Sequence, residues 1–197
     1  MGARYLTFRL KRRPAAWKTS LEHFFVAPGL FEKDVCDAIV ADCLTRKYRP
    51  GYSKGQCAAF AQEHDTWGAL KTVTTVIEQI NCAEGLGLDL YPLFYGIFNT
   101  YATGETYGWH SDFVVEKTGR SRVMSAVVSL SEPGDFRCVD KQKGFEIQGS
   151  EDSTPELGKG DVVIFPSRFV HRASELVSGV RHSLAMWIAE SSVTGEV

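Results

Sequence analysis

The chain has 197 residues, 44% of them apolar, and a formal net charge of −2 with acids and bases interspersed. That is enough apolar chain for one domain with its own core, so no disulfide framework is required. The near-neutral balance excludes a general nucleic-acid or membrane-surface binder.

In chain order, residues 4–10, "RYLTFRL", alternate like a strand and run into the basic cluster Lys11, Arg12 and Arg13, which reads as a solvated turn. This start lacks a signal-peptide pattern, and no apolar run reaches membrane-span length, so a cytoplasmic protein is expected. "APGLFEKDVCDAIVADCLTR" predicts a turn and a helix with Val35, Ile39, Val40, Cys43 and Leu44 on its apolar stripe. Residues 49–60, "RPGYSKGQCAAF", predict a loop, and residues 49–64 as a whole are a candidate lid over a site. A second helix is expected over 65–83, burying Trp67, Leu70, Val73, Val76, Ile77 and Ile80.

From residue 91 the pattern changes to short apolar runs between turn signals: "PLFYGIFNTYA", "GWHSDFVV", "RVMSAVVSLS", "GFEIQG", "DVVIFPS" and "RHSLAMWIAE". Strands at this spacing predict an antiparallel barrel or double-sheet jelly roll. The whole is read as one domain over 1–197, mainly β with supporting helices. Two N-terminal helices, in a support region of about 1–90, would pack on a core of about 91–190. The five cysteines, Cys36, Cys43, Cys57, Cys82 and Cys138, include no Cys-x-x-Cys pair and are expected to be reduced and mostly packing residues.

"YGWHSDF", residues 107–113, holds the chemistry. Positions i and i+2 of a strand face the same side, so His110 and Asp112 can aim at one point. Taken alone, such a pair is far more often two polar residues near each other on a strand than a metal site, and two ligands hold a metal poorly. Of His23, His64, His171 and His182, His171 is the best third ligand, since it follows the apolar run "GDVVIFPSRFV" and a Pro-Ser turn. His23 and His64 read as surface residues and His182 as structural. Two histidines and one aspartate leave coordination positions open, the pattern that suits non-haem Fe(II) in oxygenases. Arg181, ten residues after His171, begins the last core strand and shares a face with Ser183, Ala185 and Trp187. An inward arginine is costly unless paired. A dicarboxylate ligand would pair it, with the Ser183 hydroxyl as a second donor.

The segments "FNTYATGETYGWHSDF", "VVSLSEPGDF" and "GDVVIFPSRFVHRASELVSGVRHSLAMWI" resemble the Fe(II)/2-oxoglutarate-dependent dioxygenases. The likeness is to the prolyl-4-hydroxylase-like branch with its small bacterial and phage hydroxylases, and it covers residues 93–190. The resemblance implies a double-stranded β-helix with His110, Asp112 and His171 on iron and Arg181 on the distal carboxylate of 2-oxoglutarate. It further implies Tyr101 and Ser125 as co-substrate contacts, and Tyr107 and Trp109 at the substrate mouth. O₂ is the implied oxidant and ascorbate an implied reductant. The stretch "RCVDKQKGFEIQG", with its single Gly144, departs from the relatives' Gly-Gly-Glu-Leu-like strand.

The activity so implied is hydroxylation of a peptidyl residue, with proline as the expected target. The alternatives are the same chemistry on a free amino acid, natural product or methylated nucleic-acid base, or a non-catalytic jelly-roll binding module. Nucleic-acid demethylases of the superfamily carry a second arginine six residues after the first, where this chain has Trp187. A peptide, protein or small molecule is thus the expected partner, with neither nucleic acid nor membrane.

Overall fold

The structure, a computed structural model, describes residues 23–46, 49–50, 56–61, 65–115, 119–139, 143–149 and 156–190. The strand expected at 4–10, the basic cluster Lys11–Arg13, His64 and the side chain of Cys57 lie outside what it describes. Within it, the strands are β1 (Phe25–Ala27), β2 (Arg49–Pro50), β3 (Gln56–Ala61), β4 (Leu90–Tyr101), β5 (Tyr107–His110) and β6 (Ser121–Ser129). They continue as β7 (Phe136–Cys138), β8 (Phe145–Ile147), β9 (Val162–Pro166), β10 (His171–Ala173), β11 (Leu176–Gly179) and β12 (Arg181–Glu190). The helices are α1 (Lys33–Leu44) and α2 (Ala69–Ala83).

All the strand pairs are antiparallel, in a major sheet ordered β1-β9-β6-β12-β4-β3-β2 and a minor face made of β5-β10-β8 and β11-β7. This is a jelly roll, mainly β with two supporting helices. The near-continuous apolar runs of β6, β9 and β12 follow from burial on both sides. Met124, Ala126, Val128, Val162, Ile164, Leu184, Met186 and Ile188 pack under the helices. The alternate positions Val127, Val163 and Phe165 pack with Phe145, Ile147 and Leu157 between the sheets.

Three expectations change. The apolar stripe of α1 runs through Cys36, Ile39 and Cys43, all fully buried, while Leu44 is half exposed. The helix presents the i, i+3, i+7 set to the sheet, which rotates Leu44 out to solvent. Helix α2 starts at Ala69 because the Asp65 carboxylate accepts the N–H groups of Ala69 and Leu70 at 2.6 and 2.8 Å, capping donors that a longer helix would consume internally. The segment read as a loop over 49–60 contributes strands: β3 pairs with β4 from Gln56↔Thr100 to Ala61↔Tyr95, and β2 adds outside it. The glycines and polar residues there mark the approach to a sheet edge, where backbone pairing on one side suffices. The support region thus supplies strands at both ends of the major sheet as well as helices.

Gly160 pins the loop before α1. Its φ is 91°, a Cβ there would lie 2.1 Å from the Phe31 carbonyl oxygen, and the Phe31 N–H donates to the Gly160 carbonyl at 3.1 Å. Cys36, Cys43, Cys82 and Cys138 are free thiols, Cys82 exposed rather than packed. Burial pushes the Cys36 and Cys43 thiols up to about 11. Among the described residues no helix is long and apolar enough to cross a membrane.

Candidate active site

His110 ends β5 and His171 opens β10, and the two are direct cross-strand partners. Between that pair and the next, Ala173↔Tyr107, β5 holds one residue more than β10. This bulge puts Tyr107 and His110 on one face: their rings stack at 3.7 Å and 15°. Trp109 is left on the other face, 39% exposed, with the Arg172 guanidinium 4.5 Å from its ring centroid. Arg172 in turn donates twice to the buried Glu146, at 2.9 and 2.7 Å. The two aromatics expected together at the mouth therefore part, Tyr107 to the site and Trp109 to the back of the minor sheet. A regular strand would have kept them together; the extra residue separates them.

Each histidine is oriented by its own chain. His110 Nδ1 lies 2.8 Å from the Gly108 carbonyl oxygen and His171 Nδ1 lies 3.0 Å from that of Phe169. A carbonyl only accepts, so each Nδ1 bears the proton and each Nε2 presents a lone pair. Both Nε2 atoms turn to Asp112, at 3.6 Å from Oδ1 for His110 and 3.5 Å from Oδ2 for His171. The three ligand atoms lie within 4.8 Å of one another. Two neutral imidazole nitrogens and one carboxylate form a donor set that fits Fe(II). Phe165 meets His171 edge-on at 4.7 Å and Phe145 lies 5.6 Å from it, so the ring is walled by apolar surface. Burial pulls the His171 imidazolium down from its ordinary range, against the opposing pull of Asp112, which keeps the ring in its ligating form.

Asp112 is not on the strand with His110. β5 stops at His110, and the Asp112 N–H donates to the Ser167 carbonyl at 2.9 Å, in the turn between β9 and β10. The partner strand β10 is three residues long and ends its pairing with His110, so the backbone beyond finds its acceptor in the turn. Ser125 Oγ donates to Asp112 Oδ2 at 2.8 Å and lies 2.9 Å from Ser167 Oγ. The hydroxyl expected to face the co-substrate is thus directed at the carboxylate. Burial acts to raise the Asp112 pKa, but His110, His171, Trp187 and Ser125 together outweigh it and hold the carboxyl below its ordinary value. Sequence reading missed Ser167 and Trp187 here. Trp187 was legible: it shares the inner face of β12 with Arg181 and Ser183, in register with Ser125.

Arg181 is 3% exposed and stands directly opposite Tyr101 of β4, its guanidinium carbon 5.8 Å from the phenol ring centroid. Ser183, also buried, lies one step along the same face between Asn99 and Ser129. No described carboxylate forms an ion pair with Arg181. Gly144 gives the guanidinium room: a Cβ there would come within 2.9 Å of Arg181 Nε and 2.8 Å of the Phe136 ring. The departing stretch around Gly144 leads into β8, which pairs with β10 beside His171. His182 points away from this face, 3.1 Å from Thr100 Oγ1 through Nδ1 and stacked on Phe98. His23 is half-buried. Beyond Asp112, Phe113, Val114 and Val115 form an apolar run exposed by 51%, 45% and 61%.

Residues 96–189 match the model of the 2OG-Fe(II) oxygenase superfamily. A PKHD-type hydroxylase of Shewanella sp. (strain ANA-3) is 32% identical over 112 residues, covering 54% of this chain and 46% of the relative. The chain thus spans about half the length of the curated relatives it matches. In fold it is similar to a Pseudomonas putida prolyl-4-hydroxylase, with TM-score 0.65 and 22% identity over 86% of this chain and 93% of that one. It is similar also to the viral collagen prolyl hydroxylase of Paramecium Bursaria Chlorella virus-1, with TM-score 0.67 and 13% identity over 86% and 97%.

Proposed function

We propose that the chain, whose residues 96–189 match the model of the 2OG-Fe(II) oxygenase superfamily, is an Fe(II)- and 2-oxoglutarate-dependent hydroxylase acting on a peptidyl residue, proline. The observation that carries the reading is Arg181, a buried cation with no described carboxylate beside it, on the inner face that also presents Asp112's support. A buried guanidinium is stable only with an anion, and a dicarboxylate long enough to reach from the metal supplies one.

His110, Asp112 and His171 would hold the iron. When bound, it would supply the oxidising chemistry, in which one atom of O₂ enters succinate as 2-oxoglutarate loses CO₂ and the other enters a substrate C–H bond as hydroxyl. The chain's own residues do the rest. Arg181 anchors the distal carboxylate, with Tyr101 across from it and Ser183 beside it. Tyr107 braces His110 by stacking. Phe145 and Phe165 exclude water behind His171. The prolyl target is supported by the fold shared with prolyl hydroxylases. A peptide, rather than a small molecule, is supported by the exposed apolar run Phe113–Val115 beside the metal ligand. A reducing setting, the cytoplasm, is supported by the four free thiols among the described residues.

Two measurements test this. Anaerobic protein with Fe(II) and 2-oxoglutarate should show a visible metal-to-ligand charge-transfer band; its absence removes the metal reading. Succinate release should then be stimulated by proline-rich peptides in a screen that includes free amino acids and methylated oligonucleotides. Stimulation by the oligonucleotides alone would overturn the peptidyl reading.

A further inference from the structure

We infer that Ser167 and Ser125 form a directed hydroxyl relay that holds Asp112 by Oδ2 and leaves Oδ1 as the oxygen offered to the metal. The inference rests on the reading of His110, Asp112 and His171 as ligands.

The direction follows from counting protons. A carboxylate only accepts, and a serine hydroxyl has one proton to donate. Ser125 uses its proton on Asp112 Oδ2, at 2.8 Å. The 2.9 Å contact between Ser125 Oγ and Ser167 Oγ can then be made only by the Ser167 proton. The order is therefore Ser167 O–H to Ser125, then Ser125 O–H to Oδ2, and each bond polarises the next in a dry site.

The far end of the relay is fixed. Ser167 is fully buried. Its N–H donates to the Val123 carbonyl at 2.9 Å, and its carbonyl accepts from the Asp112 N–H at 2.9 Å and from Ser111 Oγ at 3.0 Å. Ser125 is 1% exposed, in the middle of the major sheet with Phe165 and Trp187 as its cross-strand partners. Three segments that carry or adjoin ligands thus meet at two hydroxyls: residues 111–112, strand β6 and the turn into His171. His110 Nε2 faces Oδ1 at 3.6 Å and His171 Nε2 faces Oδ2 at 3.5 Å, but an oxygen already accepting a strong hydrogen bond has less electron density for a cation, so Oδ1 is the better donor. A carboxylate held by one oxygen is less free to turn and grip with both, which favours leaving positions open for the co-substrate. Ser125 and Ser167 act as positioning residues, because neither is a ligand.

The test is Co(II) titration of the full chain, read by the cobalt ligand-field absorption, with thermal melting of the metal-free protein alongside. Ser125→Ala should weaken Co(II) binding about 10- to 100-fold, the usual effect of deleting a ligand's hydrogen-bond partner, and alter the spectrum. Ser167→Ala, one bond removed, should weaken it by about the lower end of that range. Ser125→Thr keeps the hydroxyl and should restore binding. Wild-type affinity and spectrum in Ser125→Ala would overturn the relay while leaving the ligand assignment intact, as would Ser125→Thr binding as weakly as Ser125→Ala. If Ser125→Ala does not fold, wild-type affinity in Ser167→Ala overturns it instead. Wild-type protein that binds no Co(II) would remove the ligand assignment and the relay together.

Discussion

His110 and His171 face each other directly across two short strands, their ring centroids 4.2 Å apart. The site is built on that pair: each ring's Nδ1 is tied to a carbonyl two residues before it, and both Nε2 atoms converge on Asp112. Substituting either histidine by alanine should abolish Fe(II) binding and the charge-transfer band. The two variants should differ in metal-free stability. His171 is buried against Phe145 and Phe165, so His171→Ala should cost about 1–3 kcal/mol. The half-buried His110 should cost less, which thermal melts of the metal-free variants would show.

Arg181 gives opposite effects on binding and folding. Arg181→Met removes the buried cation proposed to anchor the distal carboxylate and should weaken 2-oxoglutarate binding by about 2–4 kcal/mol, on the order of 30- to 1000-fold. The same change replaces a buried charge with no described carboxylate partner by an apolar side chain. The melting temperature of the ligand-free protein should therefore hold or rise. A clear fall in melting temperature would mean that the guanidinium has a structural anion.

Gly144→Ala should act through Arg181. The added methyl would meet Arg181 Nε at 2.9 Å and the Phe136 ring at 2.8 Å, so one of them must shift. Overpacking of this kind costs about 1–3 kcal/mol. Calorimetric titration should show weaker 2-oxoglutarate binding with Co(II) affinity unchanged, since no metal ligand adjoins Gly144.

The metal-free protein should lose stability as the pH falls below about 6.5, the ordinary histidine value. Burial pulls both His171 and His182 below it in the fold. Below 6.5 the unfolded chain takes up protons that the folded chain resists, so the stability held above that pH drains away as the pH drops through the lower folded values. Melting temperature against pH from 8 to 5 measures the slope, and His182→Asn, which keeps a polar partner for Thr100, should make it shallower.

The residues show plainly which parts of this were legible. Strand runs such as "DVVIFPS" and "RHSLAMWIAE" announced themselves because strands buried on both faces must be apolar throughout. The buried residues of α2, Leu70, Val73, Val76, Ile77 and Ile80, followed from helical periodicity. The candidate ligands and Arg181 stood out because ionisable residues in such runs demand a partner. Short, poorly patterned pieces did not: β3, β7, β10 and β11 take their form from pairing with distant strands.

The sequence by itself determined the fold class, the two-histidine, one-carboxylate donor set and the inward face of β12, because these depend on periodicity and side-chain chemistry. Only the tertiary structure decided that a bulge in β5 sends Tyr107 to the site and Trp109 to the back of the sheet. Only it decided that Asp112 hangs from the turn before His171 by its N–H, with Ser125 and Ser167 behind the carboxylate. The physical reason is the same in each case. Which strand pairs with which, and in what register, is set by contacts between residues far apart in the chain, and one extra residue in a strand reverses every face beyond it.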